Sequence, residues 1–281
     1  MIHSMLFDAH LCTGCRGCQV ACKQWNDLET SPTTNTGSYQ NPPRLSANTH
    51  LTMRFNEVEN GDKVQFVFGR YSCMHCEEPA CATACPLQAL HKTKEGPVIY
   101  RADRCFGCRY CMLACPFEVP TFEWSQNEVQ GPWIRKCNFC YDRLQNGQEP
   151  ACAKTCVSGA LRYFPDREEA LAYAKERIAK YPDTYVNHVY GETEAGGTSV
   201  LYISHVPFEH LGLPTKLWDR AIPRYAEGAM FATPIAAVGL AASLTGFYWI
   251  MKRRREMAAK AVAKDERRET AAKAGGKDKT G

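Results

Sequence analysis

Several common functional signatures are absent from this 281-residue sequence, and each absence narrows its function. The chain has no phosphate-binding loop, no dinucleotide-binding glycine pattern and no nucleophile motif. Outside residues 252–281, which hold eleven Lys and Arg against five Asp and Glu, basic and acidic residues nearly balance. That balance gives no support for nucleic-acid binding. We therefore expect a chain that is not itself an enzyme and that binds no nucleic acid.

A secretory signal is also absent before the first cysteine. The start, MIHSMLFDAHLC, has no basic region, no long apolar run and no twin arginine. If the cysteine-rich part lies beyond a membrane, we expect a partner to carry it there.

Cysteine, in contrast, is abundant: the chain has sixteen, and none lies in the last 125 residues. Three groups of four stand in CTGCRGCQVACK, CMHCEEPACATACP and CFGCRYCMLACP, and a fourth group is more widely spaced. These groups account for every cysteine, namely Cys12, Cys15, Cys18 and Cys22; Cys73, Cys76, Cys81 and Cys85; Cys105, Cys108, Cys111 and Cys115; and Cys137, Cys140, Cys152 and Cys156.

Three kinds of chemistry could use so many thiols. Disulfides between cysteines this close in sequence are strained, and a disulfide framework does not need three thiols in a row. Zinc is usually held by one CxxC pair and two distant ligands, which the group at 137–156 could supply by itself. Triplets such as 12–18 and 105–111 suit the corners of a larger polynuclear centre. The spacing favours [4Fe–4S] clusters, and a zinc-stabilised scaffold without redox activity is the alternative.

The third group matches the bacterial C-x2-C-x2-C-x3-C-P pattern in full, in which the fourth cysteine binds the neighbouring cluster. The second group has four residues in its second gap. The first and fourth groups lack the proline, and the fourth has eleven residues in its second gap. Four such groups in one chain have no evident use except to move electrons over a distance. We predict an electron relay of four clusters.

Short elements are predicted around these groups. A strand over 2–8 leads into the first group, and a polar surface loop follows it over 26–50. The turn 60–62 lies between alternating apolar residues and predicts a β-hairpin. A helix is predicted over 166–182, with Asp166 as its cap, and a strand over 198–204. The alternating hairpin residues are Met53, Phe55, Val58, Val64, Phe66 and Phe68.

An uncharged run over 228–251 would span about 36 Å as a helix, enough for the hydrocarbon core of a bilayer. Aromatic residues at 247–249 and basic residues at 252–255 follow at its far end, as at a membrane interface. A buried core helix is the alternative. We predict a transmembrane helix over 227–252 and a basic tail, a frayed helix or disordered, over 253–281.

Two features of this segment predict its surroundings. Six Lys and Arg fall in the fifteen residues after it and three in the fifteen before it, so the positive-inside rule places the tail in the cytoplasm. Small residues at helical spacing would let a partner helix approach closely. They are Ala232, Ala236, Gly239, Ser243 and Gly246.

In its four cysteine groups, which cover residues 12–156, the sequence resembles the four-cluster iron–sulfur subunits of molybdenum or tungsten oxidoreductases. The segment YGETEAGGTSVLYISHVP over 190–207 and the C-terminal helix are similar to the beta subunits of membrane-bound formate dehydrogenases. Nitrate reductase beta subunits replace one cysteine by tryptophan, whereas all sixteen are present here. The equivalent subunit of a membrane-bound hydrogenase or another molybdopterin enzyme is the alternative.

The resemblance implies a crossed set of ligands for four [4Fe–4S] clusters. Three cysteines of one group share each site with the fourth cysteine of another group. The sites are A (Cys12, Cys15, Cys18 and Cys156), B (Cys137, Cys140, Cys152 and Cys22), C (Cys73, Cys76, Cys81 and Cys115) and D (Cys105, Cys108, Cys111 and Cys85).

The resemblance also implies an α+β fold of two ferredoxin-like modules, each with two clusters and one inserted in the other, plus a single C-terminal transmembrane helix. The first module would take 1–68 and 126–165, and the second module 69–125. A peripheral helix, strand and linker would fill 166–226, before the membrane helix at 227–252.

The implied partners are a catalytic alpha subunit with a molybdenum or tungsten pterin centre and a membrane cytochrome b gamma subunit that passes electrons to quinone. The chain would lie in the inner (plasma) membrane as part of a respiratory chain. Its clusters would face the periplasm, exported with a catalytic subunit that carries the signal.

Several side chains beside the ligands remain open to two interpretations. His75, Arg16, Arg109, Lys136 and Lys154 either tune cluster potentials or are ordinary loop and surface residues. The aromatic residues near the groups are predicted to be buried core that shields the clusters. They are Trp25, Phe106, Tyr110, Phe117 and Phe139.

Overall fold

The chain forms two compact units, Met1–Tyr225 and Ala226–Gly281, in its computed structural model. All sixteen cysteines lie in the first unit as free thiols. The turn residue Asp62 and the predicted module boundary between 125 and 126 lie outside the described residues. The structure describes residues 1–35, 37–61, 63–123 and 133–275.

The first unit alternates short strands and helices around the cysteine groups. Its elements in chain order are β1 (Ser4–Asp8), α1 (Gly17–Trp25), β2 (Leu51–Asn60), β3 (Lys63–Ser72), α2 (Ala80–Thr83), β4 (Leu90–Lys92), β5 (Val98–Tyr100), α3 (Tyr110–Ala114), β6 (Thr121–Glu123), β7 (Trp133–Arg135), α4 (Tyr141–Gln145), α5 (Ala151–Lys154), β8 (Leu161–Phe164), α6 (Arg167–Lys180) and β9 (Val200–Ile203).

A three-stranded sheet brings the two ends of this unit together. Strand β1 lies in the middle, antiparallel to β8 with Ser4 opposite Phe164. On its other side it runs parallel to β9, with Met5 opposite Val200. Every residue of β1 and β9 is buried, which is typical of strands covered on both faces. The strands predicted over 2–8 and 198–204 are thus confirmed, with slightly shorter bounds.

Helix α6 covers one face of this sheet. Its apolar residues recur at helical spacing and pack on Leu6, Leu201 and Ile203. The predicted helix is confirmed, but the predicted capping by Asp166 is wrong. That residue occupies the N-cap position, and its carboxylate accepts the backbone N–H of Ile2 (3.4 Å) instead of a helix amide. The packed helix residues are Ala170, Leu171, Ala174 and Ile178.

Strands β2 and β3 form the predicted hairpin, with Phe55 opposite Phe68. Its base is buried, but near its tip Val64 is 59% and Phe66 is 48% exposed, so the alternating pattern overstated the core there. On either side of residues 93–97, β4 and β5 form a second small hairpin, with Leu90 opposite Tyr100.

Close packing against the β2–β3 hairpin gives a first testable prediction. A Cβ at Gly69 would clash with the carbonyl oxygen of Leu211, in the short helical turn Phe208–Leu211. Because backbone must shift, Gly69→Ala should lower the free energy of unfolding by about 1–3 kcal/mol. At about 2–4 °C per kcal/mol for a chain of this size, anaerobic thermal unfolding detects this loss.

The matched control for this variant lies in the same hairpin. At Gly61, with φ of +62°, a Cβ would meet no described atom within 4 Å, and asparagine tolerates that conformation. Gly61→Asn should therefore leave the unfolding temperature nearly unchanged. Equal losses in the two variants would show that the contact with Leu211 is not the cause.

The second unit consists of most of helix α7 (Ile222–Gly275), which has 54 residues. Within the described residues it is the one helix long and apolar enough to cross a membrane. Its apolar side chains are exposed, for example Phe231 at 75% and Val238 at 70%, so it is not a core helix of this chain. The tail was predicted to be a frayed helix or disordered, and the helix continues through it to Gly275. Residues 276–281 lie outside the described range.

Candidate metal centres

Each of the four cysteine groups contains the same kind of backbone turn. The residue just before the second cysteine of each group has a positive φ angle, a conformation that most side chains avoid. Two of these residues are glycines, but His75 and Phe139 are not, so the turn is retained there despite its strain. The angles are +66° at Gly14, +51° at His75, +78° at Gly107 and +63° at Phe139. The four groups are therefore repeats in structure as well as in sequence.

Short helices place the third and fourth cysteines of each group. Cys18, Cys81, Cys111 and Cys152 lie in α1, α2, α3 and α5, and the fourth cysteine follows four residues later in every group. In the first group both cysteines lie within α1, about one helical turn apart along the chain, whereas Cys85, Cys115 and Cys156 follow the ends of α2, α3 and α5. Helix α1 packs against α5, and α2 against α3. The α1–α5 pair therefore brings together thiols of the first and fourth groups, and the α2–α3 pair brings together those of the second and third.

Two cavities are each lined by four cysteines from two different groups. One is lined by Cys85, Cys105, Cys108 and Cys111 together with apolar residues such as Leu90. The other is lined by Cys22, Cys137, Cys140 and Cys152. The first holds the four ligands expected at site D, and the second those expected at site B. Their chemistry and enclosure fit a thiolate-bound cluster.

The electrostatic neighbours of the thiols extend this grouping to the other two sites. Burial raises the pKa of the Cys12 thiol to about 11, and Cys156 and Cys15 contribute. Burial likewise raises the pKa of Cys76 well above its usual value, followed by the effects of Cys73, Cys115 and Cys81.

Sites B and D show the same coupling between thiols. For Cys22, burial is the largest cause of the raised thiol pKa, and Cys137, Cys152 and Cys140 raise that pKa further. For Cys111, burial raises it to about 12, followed by Cys105, Cys108 and Cys85. Such thiols keep their protons in the absence of a metal, so cluster binding must release those protons.

Backbone amides donate to several of these sulfur atoms. The N–H of Ala89 lies 3.2 Å from Cys85 Sγ, and that of Leu161 lies 3.2 Å from Cys156 Sγ. A shorter loop places the N–H of Phe139 3.4 Å from Cys137 Sγ. Amide donors of this kind disperse the negative charge of thiolates and clusters. The loops therefore supply hydrogen bonds as well as ligands.

A single metal ion fits this arrangement poorly. Across the described ranges, no three His, Cys, Asp or Glu side chains converge tightly enough to hold one ion. Tetrahedral Zn²⁺ needs its thiolates about 2.3 Å from one centre. The thiolates of a cubane cluster bind separate irons and stand further apart. The geometry thus favours polynuclear centres over the zinc alternative.

Two buried polar side chains beside Cys73 lack partners for some of their hydrogen-bonding atoms. His75 is 1% exposed, and its Nδ1 accepts the N–H of Val98 (3.0 Å), which leaves the hydrogen on Nε2. Among the described residues nothing accepts from that Nε2, nor from Nε and Nη1 of Arg70. An anionic cluster nearby would provide the missing acceptor. His75 is thus a buried loop residue bonded to the backbone, and its free Nε2–H leaves a tuning role open to it as well.

Two buried cations lie near the cysteine groups. Lys136, for which the sequence allows a tuning or a surface role, is 5% exposed and donates to the carbonyls of Val98 and Cys137. Arg70 is 1% exposed and is not among the residues that the sequence singles out. Its signal in the sequence was weak: a lone arginine in the apolar stretch FVFGRYSC, three residues before Cys73.

The other side chains beside the ligands lie at or near the surface. Arg109 and Lys154 are exposed, and the guanidinium groups of Arg16 and Arg109 stack on the rings of Phe55 (4.7 Å) and Phe122 (4.4 Å). Of the aromatic residues predicted to shield clusters, Phe117 and Phe139 are buried. The other three are exposed, which corrects that prediction: Trp25 by 44%, Phe106 by 60% and Tyr110 by 58%.

Comparison with known protein families gives two overlapping matches. Both family models are described as a 4Fe-4S dicluster domain, and they match residues 11–89 and 64–167. Together they cover all four cysteine groups.

Individual relatives are similar over most of their length. The formate dehydrogenase-O iron-sulfur subunit of Escherichia coli is 38% identical over 244 residues, which cover 85% of this chain and 79% of that protein. The formate dehydrogenase iron-sulfur subunit of Haemophilus influenzae is 38% identical over 83% of this chain and 78% of its own length. The hydrogenase-2 operon protein HybA of Escherichia coli O157:H7 is 36% identical over 75% and 72%.

Proposed function

Because the chain belongs to the family of 4Fe-4S electron-transfer subunits that includes the iron-sulfur subunits of formate dehydrogenases, we propose that it holds four [4Fe–4S] clusters and relays electrons through them. We further propose that it is non-catalytic and that a formate-oxidising partner supplies the electrons. One observation carries the proposal: cavities lined by four cysteines from two groups occur at two places in the first unit.

The proposed ligands are the crossed sets A to D. The cavity linings support sites B and D, and the electrostatic neighbours of Cys12 and Cys76 support sites A and C. When bound, each cluster takes up and releases one electron at a time. The chain's own part is to hold each cluster by four thiolates, exclude water from it and direct amide N–H groups at the sulfur atoms.

The order of the sites supports a relay in one line, from A to B to C to D. Helices α1 and α5 carry cysteines of A and B, and α2 and α3 carry those of C and D. Sites B and C are linked by Cys137, whose thiol pKa is raised by burial and then by Cys73. The rings of His75 and Phe139 also meet edge to face there, 4.9 Å apart. No site is thus isolated from the next.

The proposed modules follow from the same arrangement. The first, 1–68 with 126–165, would contain sites A and B, and the second, 69–125, sites C and D. Pairing of β1 with β8 supports the rejoining of the first module. A separate small core around Leu90, Val98 and Ile134 lies close to the second module.

The proposed partners are a catalytic alpha subunit with a molybdenum or tungsten pterin centre and a membrane cytochrome b gamma subunit. The similarity to formate dehydrogenase iron-sulfur subunits supports this assembly, and the similarity to HybA supports a hydrogenase as the second candidate. The excess of Lys and Arg after the apolar helix supports a cytoplasmic tail and a periplasmic first unit.

Electron paramagnetic resonance on the anaerobic complex, solubilised from native membranes, tests the function. Chemical analysis should give about sixteen irons per chain with equal acid-labile sulfide. The spectra should show reduced-cluster signals after formate is added. If dithionite reduces the clusters but formate does not, the relay stands and hydrogen is the next donor to test. Zinc without sulfide would refute the relay.

A further inference from the structure

Arg70 is the most deeply buried cation in the first unit whose charge has no carboxylate partner. It lies in β3, it is 1% exposed, and the hydroxyl of Tyr202 donates to its backbone carbonyl (3.0 Å). None of the ion pairs formed among the described residues includes it. A buried charge without a counter-ion is strongly unfavourable, so an anion must be nearby in the functional protein.

The groups that face Arg70 identify that anion. Arg70 lines the same cavity as Cys22, Cys137, Cys140 and Cys152. Its Nη2 donates towards Cys152 Sγ at 4.0 Å, while Nε and Nη1 have no partner among the described atoms. The four cysteines are the proposed ligands of site B. The guanidinium therefore lies beside proposed site B.

Position and charge together define a role. We propose that Arg70 is the residue that raises the reduction potential of the cluster at site B above that of an otherwise equal site. This inference rests on the proposed clusters. Reduction adds one electron, supplied by the partner or by a chemical reductant, and converts [4Fe–4S]²⁺ to [4Fe–4S]⁺. A positive charge fixed nearby in a medium of low polarity stabilises that added negative charge.

Lys136 is the second buried cation in this region, but its ammonium group already has protein acceptors, the carbonyls of Val98 and Cys137. The Nε and Nη1 atoms of Arg70 have no acceptor among the described atoms. Arg70 is therefore the buried cation whose hydrogen-bonding groups are left for an anion.

The test is a potentiometric titration followed by electron paramagnetic resonance on the purified complex. Arg70→Met removes the charge at similar length, Arg70→Lys keeps it, and Arg54→Gln is the matched control in the same hairpin. Arg54 stacks on Tyr71 and donates to the carbonyl of Gly212. In Arg70→Met, the one-electron reduction equilibrium constant of one cluster signal should fall at least tenfold. This change corresponds to a fall of about 59 mV in its reduction potential.

Arg70→Lys should keep that equilibrium within threefold of the wild type, and Arg54→Gln should leave it unchanged. The signals assigned to sites C and D serve as internal standards and should not move. The inference is overturned if Arg70→Met leaves all potentials unchanged at full iron content, or if Arg70→Lys falls as far as Arg70→Met. Low iron in the wild type would instead count against the proposed clusters themselves.

A second measurement decides the case in which Arg70→Met does not assemble. Arginine labelled with ¹⁵N in the guanidinium group is incorporated into the wild type, and electron–nuclear double resonance is recorded on the reduced complex. We expect a ¹⁵N coupling that disappears in Arg70→Lys, which should still titrate within threefold of the wild type. Absence of the coupling in the wild type, or a tenfold fall in Arg70→Lys, overturns the inference.

Discussion

Replacing Cys22 and Cys140 together by alanine is expected to abolish one cluster and leave the other three undisturbed. Both residues are proposed ligands of site B, although they are 118 positions apart. They line the same cavity, together with Cys137 and Cys152. A cluster that loses two of its four thiolates is not retained, so the chain should lose about four of its sixteen irons. Iron analysis and the number of reduced-cluster signals measure this outcome.

The matched double variant takes both cysteines from one stretch of sequence. Cys15→Ala with Cys22→Ala removes the same number of thiols, but from proposed sites A and B. Two cluster signals should therefore change, either by loss or by conversion to a three-iron form. If this variant disturbs one signal and the Cys22–Cys140 variant disturbs two, the ligands are grouped by sequence and the crossed sets are wrong.

Leu240→Asp is expected to release the chain from alkali-washed membranes when the chain is expressed with the catalytic partner that exports it but without the membrane partner. Leu240 lies within the apolar part of α7, and its side chain is 63% exposed. A carboxylate near the middle of a membrane helix costs about 3 kcal/mol relative to leucine. That cost corresponds to about a hundredfold shift in the insertion equilibrium. The fraction of chain in the washed membrane pellet measures the shift.

Leu240→Ala is the control for this variant, because it removes most of the leucine side chain without adding charge and should remain in the pellet. A peptide tag after Gly281 reports orientation in the same preparations. Protease added to spheroplasts should spare the tag in the wild type if the tail is cytoplasmic. Retention of Leu240→Asp at the wild-type level would contradict a membrane-spanning role for α7.

The sequence predicted those features that depend on local patterns. The hairpin of β2 and β3 follows from alternation about a turn, and helix α6 from its periodicity and boundary residues. The sixteen candidate ligands could be named because a thiolate-bound cluster imposes short, fixed spacings along the chain. These features need no knowledge of distant contacts.

Features that depend on tertiary contacts were missed or misjudged. The carboxylate of Asp166 bonds the distant N–H of Ile2, which a local capping pattern cannot anticipate. Arg70 acquires its significance from Cys152, 82 positions away. Trp25 and Tyr110 look like core residues in sequence, yet the fold leaves them at the surface. Aromatic character alone does not decide burial, because neighbours from elsewhere in the chain must cover the ring.

The positions of its three strands along the chain also determine when the three-stranded sheet can form during synthesis. β1 leaves the ribosome first, but its partners begin only at Leu161 and Val200. At about 5–20 residues per second, β1 waits roughly 10–40 s before both neighbours exist. During this interval the first four thiols follow an unpaired strand. A chain interrupted before residue 200 cannot close the sheet, whereas the proposed ligands of sites C and D are all made by residue 115.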